Sequence, residues 1–145
     1  MSAVGRSQPQ GDRTEGYETA GADIGVDGVP LMSELLGIVR FKFHEGKVEE
    51  FKRLSARAME IVRAQDTGTL QYDTYFNDDE SEAVVIERFR DSQALIEHGE
   101  HVAALMEPII ATASVSGELL GELSPELRAK MTGDVPQLFR LYRSM

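Results

Sequence analysis

Cysteine and tryptophan are both absent from this chain. Without cysteine there are no disulfides, no thiolate metal ligands and no thiol redox chemistry, which suits a reducing cytoplasm. Basic residues are scarce: 15 Lys and Arg stand against 25 Asp and Glu, for a net charge of -10. Nucleic acid needs a basic surface and so is excluded as a partner. Anionic membrane surfaces are disfavoured on the same ground. No apolar run reaches transmembrane length, and the N-terminus lacks the basic-then-apolar order of a signal peptide. Neither a dinucleotide fingerprint, a phosphate-cradling glycine loop nor a Gly-x-Ser-x-Gly elbow occurs. These absences leave a cofactor-free enzyme or a protein that is no enzyme.

The 145 residues suit one domain of modest core, with room for a tail. Residues 1–31, rich in Gly, Asp, Glu and Thr, hold too few apolar side chains to offset their ordering entropy. They are expected to form a disordered acidic tail or leader, with Met32 a candidate start. The domain is expected over 32–121. Leu35 to Phe43 alternates like a strand, with Val39, Phe41 and Phe43 on one face and Ile38, Arg40 and Lys42 on the other. Residues 47–65 carry a helical stripe of Val48, Phe51, Leu54, Ser55, Ala58, Ile61 and Val62. On the opposite face Glu49 and Arg53 are spaced for an ion pair. Gly68 is available for a left-handed helix cap.

"TLQYDTYF" and "EAVVIERFR" then read as a hairpin around "NDDES". Asp91 is placed to cap a helix over 92–106. Pro108 closes that helix region, and "IIATASVSGELL" reads as a fourth strand. The order is βαββαβ, the ferredoxin-like pattern of an α+β fold with an antiparallel sheet. Residues 122–145 add a short helix capped by Ser124 with Pro125 in its first turn, ending near Gly133, and an extended arm on the domain or on a partner. Helices on one sheet face leave the other bare, so a homodimer with facing sheets is expected.

Three segments, "GIVRFKFHEGKVEEFKRL", "TGTLQYDTYFND" and "VVIERFRDSQALIEHGEHVAAL", resemble the antibiotic biosynthesis monooxygenase (ABM) family, which includes quinol monooxygenases. The resemblance runs over about residues 35–120. It rests on Gly46–Lys47, Gly68 to Tyr72, Glu87–Arg88–Phe89 and Leu95 to His98, in that order; the Gly117 to Arg128 extension looks like one seen in some members. Phe89 stands where the family usually has Trp, and the stretch from His98 to His101 is short. The resemblance implies a dimeric α+β barrel and oxygenation of an electron-rich aromatic substrate by O₂ without flavin, heme or metal. Two alternative readings stand beside it: a non-catalytic small-ligand-binding or protein-interaction module on the same barrel, and heme binding or degradation, as in some related members.

Such chemistry needs a base, donors for a developing oxyanion and a dry pocket. His98 falls inside the apolar stripe of Leu95, Val102 and Leu105, where an imidazole is either a pocket base or a satisfied core residue. His101 lies at the margin of that stripe, as a rim residue for substrate. The pair could also share a metal ion with Glu97, Glu100 or Glu107, but no third ligand is fixed by spacing and Gly99 weakens the helix. Tyr72 and Tyr75 point to opposite faces of their strand; either phenol can donate to a substrate or sit in the core. Glu87 and Phe89 share a face with Val85, as a second acid or base and a stacking wall. Alternatively Glu87 pairs with Arg40 across the strands. Arg40 and Lys42 can complement a phenolate or face solvent, and His44 is expected to be exposed. Catalysis is therefore assigned to His98, Tyr72 and Glu87, and substrate binding to Phe89, Arg40, Tyr75 and His101.

Overall fold

The computed structural model describes residues 33–145, so the tail expected over 1–31 lies outside the described residues. The chain runs β1 (Leu35–Phe43), α1 (Val48–Gln65), β2 (Thr69–Phe76), β3 (Glu82–Phe89), α2 (Ser92–Ile110), β4 (Ala113–Leu120), α3 (Pro125–Lys130) and β5 (Gln137–Phe139). The sheet order is β2-β3-β1-β4-β5. β1 is flanked by antiparallel β3 and β4, while β5 adds a short parallel edge strand beside β4. This is the ferredoxin-like α+β order with a C-terminal helix and strand.

Alternation along the strands sends Phe41, Val85 and Ala113 into one core cluster with Phe51, Leu54 and Ala58 of α1 and Leu105 and Ile109 of α2. A second cluster joins Leu35, Phe89 and Leu119 to Ala94 and Ile96 of α2 and to Leu127 of α3. Both long helices thus cover the same sheet face, because their stripes recur every three to four residues and meet the inward set of each strand. The other face carries Leu36, Ile38, Val84 and Ile86, all half-buried.

Two caps form as expected. The Asp91 carboxylate accepts from the Ala94 N–H at 2.8 Å, and Ser124 Oγ accepts from the Leu127 N–H at 3.1 Å. Other expectations are corrected. α2 runs past Pro108 to Ile110, and β4 starts only at Ala113. The apolar stripe Val102, Leu105, Ile109 stays in phase beyond the proline, while Pro108 and Ala104, whose carbonyl loses a donor, lie on the exposed side. The C-terminal helix stops at Lys130, before Gly133.

Gly68 is not left-handed; the positive-φ glycines among the described residues are Gly46 and Gly121. Its role is close approach, since a Cβ there would lie 2.5 Å from the Ala94 Cβ. The Glu49–Arg53 pair is replaced by Arg53 with Glu50 at 2.6 Å and Lys52 with Glu80 at 2.6 Å. All these side chains are at the surface, where such pairs contribute little. No described helix is long and apolar enough to cross a membrane.

Candidate functional site

A cavity of about 310 Å³ lies between the sheet and the two long helices. Val39, Val85 and Phe89 line the sheet side, Phe51 and Ala58 come from α1, and Val102 from α2. Met131, Val135 and Pro136, between α3 and β5, lie at its edge. Gly37 of β1 and Gly117 of β4 also line it. A Cβ at Gly37 would meet the Glu87 side chain, and one at Gly117 the backbone of β1. Neither lysine nor arginine is among the lining residues.

Polar groups converge where α2 crosses β2 and β3. His98 is 6% exposed and lies between two rings, Phe89 at 5.0 Å and Tyr72 edge-on at 5.8 Å between centroids. Its Nδ1 is 2.7 Å from Asp66 Oδ2. Its Nε2 lies 3.8 Å from Glu87 Oε1, too far for a hydrogen bond and close enough for a charge to be felt. His101 Nδ1 is 2.6 Å from the other Asp66 oxygen, Oδ1. The Thr69 hydroxyl donates to Asp66 Oδ2 at 2.7 Å.

Asp66 caps α1 with extended backbone, and its side chain is only 3% exposed. Burial pushes its carboxyl up, but hydrogen bonds from His101, Thr69 and His98, together with the charge of His98, outweigh that and hold it below the ordinary carboxylate range. An ionised carboxylate only accepts, so the hydrogens in both imidazole contacts are on Nδ1. A neutral His98 then carries its lone pair on Nε2, the nitrogen on the Glu87 side. Burial raises Glu87 above its ordinary value of 4.5; the charge of His98 opposes this and that of Asp66 adds to it. Burial likewise raises the Tyr72 phenol, with Glu87 and Asp66 adding, so it stays a donor.

The Glu87 shift has a consequence for stability. A carboxyl raised in the fold contributes stability below its ordinary value, and that contribution is lost as pH rises through the folded value. Glu87→Gln is therefore expected to gain thermal stability relative to wild type between pH 4 and pH 8. Asp66, lowered in the fold, acts in the opposite sense and is present in both proteins. Parallel melting curves at the two pH values check this; a constant difference in Tm contradicts it.

Of the residues assigned from sequence, His98, Tyr72, Glu87 and Phe89 come together at the cavity. His101 sits behind His98, through Asp66, with its side chain 22% exposed. Arg40 and Tyr75 are on the opposite sheet face. Arg40 pairs with Glu118 rather than with Glu87, and Tyr75 is 56% exposed. Lys42 and His44 are exposed. Among the described residues no three His, Asp or Glu side chains are placed as a metal site. Asp66 instead takes a hydrogen from each imidazole, and Glu97 accepts from Thr67 at 2.9 Å.

Asp66 is the member that the sequence reading missed. One signal was available: a carboxylate at a helix C-terminus opposes the macrodipole, so an acidic residue there calls for a partner.

Residues 36–105 match the model of the antibiotic biosynthesis monooxygenase family. No curated protein is significantly similar in sequence. Among solved structures, MupZ from Pseudomonas fluorescens superposes with a TM-score of 0.62 at 24% identity, covering 78% of this chain and 93% of that one. Rv0793 from Mycobacterium tuberculosis gives 0.56 at 27% identity, over 63% and 97%. SnoaB from Streptomyces nogalater, a cofactor-independent oxygenase, gives 0.53 at 20% identity, over 60% and 90%. Residues 36–105 of the chain are thus similar to the antibiotic biosynthesis monooxygenase family, and the fold is the one these solved structures share.

Proposed function

We propose that this protein is a cofactor-independent monooxygenase that oxidises a neutral quinol-like or polycyclic aromatic substrate with O₂. The observation that carries the reading is the His98 imidazole at the polar end of an otherwise apolar cavity of about 310 Å³. That volume is at the lower end for small-molecule sites and suits a compact flat aromatic.

In this reading Nε2 of His98 takes the phenolic proton. The resulting anion is electron-rich enough to reduce O₂, and the two combine at a ring carbon as a peroxide. Loss of water leaves a carbonyl, so that a CH₂ and O₂ become C=O and H₂O. All electrons come from the substrate, and the proton held by His98 returns to the departing hydroxide. Tyr72 supplies a hydrogen bond to oxygen as charge develops, Glu87, raised by burial, lies beside Nε2 as a second acid or base, and Phe89 stacks on the ring. The apolar walls exclude water.

A carboxylate on the substrate would be buried without a cationic partner, which is costly. The unit we propose is a homodimer. The half-buried apolar set Leu36, Ile38, Val84 and Ile86 on the open sheet face, and the exposed Phe139, Leu141 and Tyr142 of the C-terminal arm, support a second copy as the cover. A monomer mass at every concentration would contradict that part.

Oxygen uptake with a panel of hydroquinones and anthrones, each with and without a carboxylate, tests the function. Turnover is expected on neutral members, with kcat/KM about tenfold or more lower for the acids. Tight binding without oxygen uptake on any of them would instead make the protein a ligand-binding module.

A further inference from the structure

We propose that Asp66 is the positioning residue of the site. Its single carboxylate holds two imidazoles by their Nδ1–H groups, so that His98 presents an unprotonated Nε2 to the cavity. The inference rests on the reading of His98 as the base, and extends it to two residues that would not touch substrate.

The geometry is specific. Asp66 is the first residue after α1, while His98 and His101 are one turn apart on α2. Each imidazole takes one oxygen, at 2.7 Å and 2.6 Å, and Thr69 adds a third donor at 2.7 Å. One histidine would be enough to pin the end of α1 to α2. The second occupies the remaining oxygen, so the carboxylate cannot turn away and keeps its charge although buried. That charge, accepting from Nδ1, forbids the neutral tautomer with hydrogen on Nε2. His101, half-buried behind Asp66, is the brace.

Asparagine at position 66 is nearly isosteric and offers one acceptor and one donor group. Two Nδ1–H groups then compete for one oxygen, and the negative charge is gone in either orientation of the amide. Long-range ¹H–¹⁵N correlation NMR resolves the tautomer of each of the chain's three histidines, with assignment from single His→Gln variants. It needs no substrate. In wild type His98 is expected with hydrogen on Nδ1 and Nε2 bare; a neutral His98 carrying its hydrogen on Nε2 overturns the proposal.

In the kinetic arm, folded Asp66→Asn is expected to lose on the order of 10²- to 10⁴-fold in kcat, with KM within about threefold. Wild-type kcat in a folded Asp66→Asn protein would reduce Asp66 to a clamp between helices and overturn the proposal. If wild type turns over no substrate, the function proposed above fails, and the NMR result still decides the role of Asp66.

Discussion

Replacing His98 with alanine is expected to lower kcat on a neutral quinol on the order of 10²- to 10⁴-fold, the usual contribution of a positioned base. Tyr72, held protonated by burial, cannot take its place. Alanine also removes one donor from the buried Asp66 and leaves a void beside Phe89, so some loss of stability comes with it. His98→Asn separates the effects, since its amide can donate to Asp66 yet cannot act as a base. Both variants should be inactive and Asn the more stable, as read by oxygen uptake and thermal melting. Wild-type turnover in folded His98→Asn would remove His98 from the chemistry.

The second large effect is on the fold. Gly117→Ala is expected to destabilise the protein by about 3 kcal/mol, lowering Tm by about 10 °C. Gly117 pairs with Val39 in the β1–β4 ladder. A Cβ there would lie 2.4 Å from the Ile38 carbonyl oxygen and 3.2 Å from the Val39 Cα. Both are backbone atoms in the middle of the sheet and cannot move aside as a side chain tip would. Gly99→Ala makes the contrast. A Cβ at Gly99 meets nothing within 4 Å, and the residue is exposed within α2. Alanine there should stabilise by about 0.5–1 kcal/mol. If the two melt alike, the account of why β4 carries a glycine is wrong.

Much of this was legible in the sequence, and the parts that were not share a physical cause. Local period gave the strands β2 and β3 and the helix α1, because apolar alternation and a helical stripe are short-range signals. Asp91 and Ser124 were readable as caps for the same reason. Pro108 misled because a proline near a helix end breaks only one hydrogen bond, and the stripe beyond it still found the core. Arg40 and Tyr75 were correctly set on faces opposite Phe41 and Tyr72. Which face the helices cover decides which pair can reach the cavity, and that is fixed by the whole sheet rather than by one strand. His98 was visible as an imidazole within an apolar stripe. Its partner Asp66 was not, since it lies on an extended bridge 32 residues away and meets His98 only once β2 is paired and α2 packed.

Proton transfer to His98 requires the substrate hydroxyl to sit against its Nε2. A crystal structure of the protein with the best quinol of the panel, bound without O₂, measures this directly. The phenolic oxygen is predicted at about 2.6–3.2 Å from Nε2 of His98, with the ring against Phe89 and Asp66 still bonded to Nδ1. A hydroxyl bound away from His98, or a His98 ring turned out to solvent, would contradict it.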